Sequence, residues 1–217
     1  MFSEGLTAAE EVWFSYQEPD ELAIALAEEM RARGMRKVLD VGCGGGRHLL
    51  YLAKEGFEVC GTDRSAAGLA ISRERLEKEG LKAALRRCDM TEVPFPDEFF
   101  DAVLSLYVLH HNRLESVGKA VGGIRRALKE GGLFFANLSG KGDHKEGKGK
   151  KIEPGTYICD SGIETGMPHH FFTRQEVEDL LGGFEIASLE ERRREYHSRS
   201  LGKLVTGVHW EIRAKKV

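Results

Sequence analysis

The chain has 217 residues, which is enough for one domain with a full hydrophobic core and too short for two comfortable ones. A formal charge of −3 provides no general attraction to phosphate backbones, so small molecules are the expected partners and nucleic acid is disfavoured as an obligatory one. No run approaches the ~20 apolar residues of a membrane span, and the start MFSEGLTAAEE has neither the basic residues nor the apolar core of an export signal.

Cys43, Cys60, Cys88 and Cys159 show no metal-type pairing, and the first three fall near expected strand ends, where reduced cysteine is a small core residue. A cytoplasmic protein without a membrane partner is the expectation. Near the N-terminus, Trp13, Phe14 and Tyr16 form an aromatic cluster too early to belong to a sheet. It either anchors an N-terminal helix or folds over a ligand. Glu18-Pro19-Asp20 then opens a helix through Arg33, with Pro19 in its first turn, Leu22, Ala23, Leu26 and Met30 on one face, and Gly34 as its stop.

Residues 38–63 read as strand, glycine turn, helix and second strand. Val38, Leu39 and Val41 suit a parallel strand buried on both faces, and Gly42, Gly44 and Gly46 allow a sharp turn with close backbone approach to a ligand. Leu49, Leu50 and Leu52 follow on a short helix ended near Gly56. Val59 and Cys60 lead to Asp63, whose carboxylate can accept both hydroxyls of a ribose. The dinucleotide fingerprint requires a third glycine where this chain has Arg47 or Leu49, so a nicotinamide or flavin cofactor is the weaker choice, and no lysine-serine/threonine ending marks a triphosphate loop.

Ser65 is the expected N-cap of a helix reaching Glu79, with Gly80 as its stop; residues 81–87 form a third strand, and 100–104 a fourth. His110-His111-Asn112 begins a helix to Leu128, and Leu133 to Leu138 is the fifth strand. Neighbouring histidines on a helix point about 100° apart and no carboxylate lies beside them at ligand spacing, which argues against a metal. KGDHKEGKGKK, from Lys141, reads as a solvated loop, and residues 156–158 as a short extended piece. Thr173 and Glu176 form a capping box for a helix to Leu181. Residues 184–189 make a sixth strand, ERRRE from Glu191 a solvated face, and 208–212 a last, antiparallel strand.

Asp40, Gly42, Gly44, Gly46 and Asp63, followed by CDMTEVPFPDEFFDAVLSLYVLHH, IRRALKEGGLFFANL and FFTRQEVEDLLGGFEI, resemble the motifs of class I S-adenosylmethionine-dependent methyltransferases. The resemblance covers roughly residues 38–190 and is to the branch that includes the ubiquinone and menaquinone biosynthesis enzymes (methyltransferase type 11). It implies an α/β, Rossmann-like doubly wound, mostly parallel seven-stranded sheet of order 3-2-1-4-5-7-6, with strand 7 antiparallel and helices on both faces. It also implies S-adenosyl-L-methionine as cofactor, bound by Asp40, Gly42, Cys43, Gly44, Gly46, Asp63, Arg64, Asp89, Met90, Ser105 and Leu106, with Asp89 and Met90 at the adenine. A turn-forming Asp89 is the alternative.

The expected organisation is a single domain, 1–217, with an N-terminal helical cap at 1–34 and an inserted loop or lid at 139–172. The expected function is methyl transfer to a small-molecule acceptor. His110, His111, His169 and His170 are the candidate catalytic groups, because imidazole titrates near neutrality. The last two could equally anchor the loop. A non-catalytic S-adenosylmethionine-binding regulator and a nucleotide-cofactor oxidoreductase are the rival readings.

Overall fold

The structure, a computed structural model, describes residues 7–160, 164–198 and 202–217. The first elements are two helices, α1 (Ala8–Ser15) and α2 (Glu21–Ala32). Thr7 and Glu10 cap α1 reciprocally, and Asp20 caps α2 by accepting from the Leu22 N–H. Pro19 therefore lies ahead of the cap and outside the first turn, since the carboxylate one residue later satisfies the orphan donor.

Strand β1 (Lys37–Val41), helix α3 (Arg47–Lys54), strand β2 (Glu58–Asp63), helix α4 (Ala66–Lys78), strand β3 (Ala84–Arg87) and strand β4 (Phe100–Ser105) follow in alternation. Helix α5 (Leu114–Ala127) starts later than expected from its histidines; His110 and His111 sit in the turn between β4 and the helix. The ground for setting a metal aside, two neighbours on a helix, thus does not apply here. Strand β5 (Leu128–Ser139) leads into three short strands, β6 (Lys150–Glu153), β7 (Thr156–Ile158) and β8 (Pro168–His170), then α6 (Arg174–Leu180), β9 (Phe184–Ser198) and β10 (Lys203–Lys216).

The main sheet runs β3-β2-β1-β4-β5-β10-β9, and β6-β7-β8 form a separate antiparallel sheet. With the three short strands left out of the numbering, the order is 3-2-1-4-5-7-6, and β10 is antiparallel to both neighbours. Side chains alternate across the sheet as the two-residue period of a strand requires. Leu39, Val41, Val103, Phe134, Ala136 and Ile212 pack toward α5 and α6, whereas Val38, Ala102, Leu104, Leu133 and Phe135 pack toward α2 and α3. This two-sided burial is what a doubly wound sheet demands.

Two stretches differ from the sequence expectation. β9 continues through Glu191–Glu195, with side chains exposed as expected of a solvated face but with backbone paired along β10. The partner strand supplies the hydrogen bonds, so low strand propensity does not prevent the ladder. The stretch from Lys141 is also not simply a solvated loop. Asp143 is buried; its Oδ2 accepts from the Val208 N–H at 2.9 Å and its Oδ1 from the Lys145 N–H at 2.8 Å, and the His144 N–H donates to the Thr206 carbonyl. One carboxylate thereby fastens the turn to β10. Asp143→Ala is expected to cost about 1–3 kcal/mol by leaving buried N–H groups unpaired. The readouts are a lower urea midpoint at unchanged slope and new trypsin cleavage between Lys141 and Lys151.

Candidate active site

The carboxyl ends of β1, β2 and β4 meet where the strand order reverses, the usual ligand position in open α/β sheets. Three glycines carry the turn there: Gly42, Gly44 and Gly46 have φ of 76°, 51° and 80°, in the left-handed region. The turn is closed onto the end of β2. The Thr62 carbonyl accepts from the Gly42 and Cys43 N–H groups at 2.7 and 2.9 Å, and Asp63 Oδ2 accepts from the Gly44 N–H at 2.8 Å. Asp63 Oδ1 takes the Ser65 N–H at 2.7 Å. A carboxylate offers about four lone-pair positions, so two remain for a ligand's hydroxyls.

Asp40, at the base of the turn, is 1 % exposed and its Oδ2 has no hydrogen-bond partner. Burial, joined by the Asp63 charge and opposed by Arg47, pushes its carboxyl up to about 7. An orphaned carboxylate oxygen beside a glycine turn suits the amino group of an amino-acid moiety.

The other expected positions divide. Cys43 is buried and turns its Sγ toward Gly61, which places its side chain inside the sheet and away from the edge. Arg64 contributes its carbonyl to the Arg87 Nε. Asp89 Oδ1 accepts from the N–H and hydroxyl of Thr91 at 3.0 and 2.8 Å, the arrangement of a turn-former, while Met90 packs against the core. Ser105 is buried and donates to the Val41 carbonyl at 3.1 Å, and Leu106 packs among the α2-side core residues.

Further side chains complete the edge, among them Phe14 of the N-terminal aromatic cluster. Tyr107 has φ of 62°, strained for a non-glycine residue. It is held by an N–H bond to Asn137 Oδ1 at 2.6 Å and a hydroxyl bond to Asp20 Oδ2 at 2.8 Å. Val108 lies over Gly42, so closely that a Cβ there would come within 2.2 Å of its Cγ2. Phe14, from α1, lies against Gly44, Gly45 and Gly68, and Arg75 donates to the carbonyls of both Phe14 and Gly45 at 2.7 Å. Tyr16 is exposed beside Arg47; the side chain of Trp13 lies outside the described residues.

Of the four candidate histidines the fold gathers three. The ring centroids of His110 and His111 are 4.4 Å apart and those of His111 and His169 4.5 Å, and His209 of β10 stands 6.0 Å from His110. His170 is elsewhere in its contacts: its Nδ1 lies 2.7 Å from Thr156 Oγ1 and its Nε2 3.7 Å from Glu176, inside the network that pins the small sheet. Burial, with the neighbouring imidazoles, holds His110 well below the usual histidine range and His111 down to about 3. Burial also acts downward on His169, but contacts with Cys159 and Glu164 outweigh it and lift it to about 9. Glu164 was invisible in the sequence as a site residue, since nothing local marks it.

Residues 39–136 match the family described as methyltransferase domain. A ubiquinone biosynthesis O-methyltransferase of Alkalilimnicola ehrlichii is 37 % identical over 106 residues, 48 % of this chain and 42 % of that protein. A sterol 24-C-methyltransferase of Gibberella zeae is 37 % identical over 130 residues, 56 % of this chain and 33 % of its own length. The crystal structure of an S-adenosylmethionine-dependent methyltransferase from Methanosarcina mazei superposes with a TM-score of 0.67 at 25 % identity, covering 83 % of this chain and 92 % of that one.

Residues 39–136 form a methyltransferase domain, and the chain shares the fold of the S-adenosylmethionine-dependent methyltransferases. It spans less than half the length of these two curated relatives. Among the described residues, no helix of the methyltransferase domain is long and apolar enough to cross a membrane.

Asp40 also generates a test of the site's electrostatics. Its carboxyl holds its proton more tightly folded than unfolded, so the folded state loses stability as pH rises from 3.8 toward about 7. Asp40→Asn is therefore expected to leave the ligand-free protein's melting temperature nearly unchanged below pH 4 and to raise it at pH 8, by about 2–4 °C for each kcal/mol recovered at this chain length. Scanning calorimetry at the two pH values checks the sign.

Proposed function

We propose that this methyltransferase domain moves the methyl group of S-adenosylmethionine to a small-molecule acceptor held between the glycine turn and the small sheet. The observation that carries the reading is the adjacency on one sheet edge of a nucleoside-type half-site, Asp63 with Gly42 to Gly46, and the histidine cluster. Val108 touches Gly42, and two residues later the same turn presents His110 and His111. The relatives' names speak of ubiquinone biosynthesis and of sterol methylation. Another relative, from Danio rerio, is named for tRNA cytidine, so the small acceptor rests on the net charge of −3 and the buried histidine cluster and not on the relatives.

In this reading the protein is one domain, 1–217, with residues 1–34 as a cap and 139–172 as the lid over the acceptor. Phe14 of the cap covers the glycine turn, and Arg75 holds it there. Asp63 binds the ribose hydroxyls, Asp40 the amino group, and Asp89 and Met90 the adenine through groups their turn contacts leave available.

Bound there, the cofactor supplies an electrophilic methyl group on a sulfonium that is already a good leaving group. The chain's main task is then orientation, which can supply up to ~7–11 kcal/mol of barrier reduction. His110 and His111, held neutral by burial, can accept a hydrogen bond from an acceptor's O–H or N–H and fix its lone pair toward the methyl carbon. Their basicity is too low for strong proton abstraction, so an acceptor that is already nucleophilic suits the site better than an alcohol.

Asp63→Ala is expected to weaken cofactor binding ten- to a hundredfold, about 1.5–3 kcal/mol for a charged acceptor lost. Calorimetry with S-adenosylhomocysteine reads this; unchanged affinity would remove the assignment. Cofactor binding without turnover across a panel of thiol, amine and phenol acceptors would favour the regulator instead, and binding of a reduced nicotinamide in preference would favour the oxidoreductase.

A further inference from the structure

Three side chains from separate parts of the chain converge beside the acceptor side of the edge. His111 comes from the turn after β4, Glu164 from the loop between β7 and β8, and His169 from β8 itself. One ligand atom from each lies within 4.8 Å of the other two. On a tetrahedral ion with bonds of 2.0–2.1 Å the same atoms would stand about 3.3–3.4 Å apart, a contraction within the reach of small side-chain rotations.

The orientation of His169 gives this convergence its meaning. Its Nδ1 faces the Met167 carbonyl at 3.3 Å, with Cys159 Sγ on the same side at 3.6 Å, so the ring proton belongs on Nδ1. That leaves Nε2 as the atom that faces Glu164 and His111. Nε2 is buried, in a residue only 1 % exposed, and has no aligned hydrogen-bond partner although Glu164 Oε2 is 3.2 Å away. In the metal-free chain a proton on Nε2 holds that pair together, and a bound dication would take the proton's place. A histidine whose far nitrogen is fixed by a carbonyl while the near one meets a carboxylate is the arrangement that supports metal-ligating imidazoles.

We infer that His111, Glu164 and His169 form a binding site for a divalent metal ion of the zinc type. Two imidazoles and one carboxylate suit a borderline ion that takes nitrogen and oxygen together, and three protein ligands leave a position for water or an acceptor oxygen. Cys159 lies on the Nδ1 side of the ring and is not a ligand. Lys145, bonded to Glu164, opposes a dication and lowers the affinity. The inference does not depend on methyl transfer, because it is read from metal binding without cofactor or acceptor.

The experiment titrates the untagged full chain with Zn2+ by calorimetry and with Co2+ by absorption spectroscopy. One ion per chain is expected, with the visible bands of four- or five-coordinate cobalt and no sulfur-to-metal charge transfer. His111→Gln and His169→Gln should each lower affinity at least about a hundredfold, the upper end of what losing a mere supporting partner costs. Lys145→Met should tighten binding, and Cys159→Ser should leave it unchanged. Absence of stoichiometric uptake, thiolate charge transfer with cobalt, or retained affinity in both histidine variants overturns the site. Should a histidine variant fail to fold, the cobalt spectrum of the unaltered chain decides by itself. Loss of the metal with intact S-adenosylhomocysteine binding would leave the methyl-transfer reading standing.

Discussion

Two carbonyl and carboxylate groups at the end of β2 hold the β1–α3 turn shut. The Thr62 carbonyl collects two glycine-turn N–H groups, and the Asp63 carboxylate collects a third from Gly44. Without them the turn would present unpaired donors at a largely buried end of the sheet, each costing about 1–3 kcal/mol. With them the turn has a fixed shape, α3 starts at a left-handed Gly46, and Ser72 reaches the Gly44 carbonyl from α4. The strand-end position of Asp63 therefore serves structure and ligand at once.

The second organising feature is the placement of charge in the histidine cluster beside that turn. Glu164 lies between Lys145 and His169, and its carboxyl is held well below the usual range because those partners outweigh the burial that would raise it. The neighbouring His110, His111 and His209 are all held neutral by burial. The positive charge of the cluster is thus concentrated on groups that touch Glu164, and the imidazoles nearest the glycine turn stay free of charge. Such segregation of protonation states within a few ångströms is characteristic of functional sites more than of cores.

The small sheet keeps these groups in register. The His170 N–H donates to the His110 carbonyl, the Phe172 N–H to the Ser139 carbonyl, and the Trp210 indole to the Phe172 carbonyl. Glu153 accepts from both Thr156 and the start of α5. The inserted segment is therefore fastened to β5, α5 and β10 by backbone and buried polar bonds. Movement of this segment as a unit would require breaking a defined set of contacts and is not a matter of loose glycines.

Local sequence determined the alternation of strands and helices, the glycine turn and the caps at Ser65 and Thr173, because each depends on neighbours within a few residues or on a period of two or 3.6. Asp63 was legible for the same reason: it ends an apolar run that follows the glycine turn. The seven-stranded order came from motif resemblance, and the fold bears it out. The tertiary structure alone decided that β9 extends through a run of arginines, since β10 supplies its ladder, and that Asp143 anchors a lysine-rich turn, since its partner Val208 is remote in the chain. It alone brought His111, Glu164 and His169 together. Their contacts cross a sheet edge and an irregular loop, and no local periodicity encodes the distance between side chains that only packing makes neighbours.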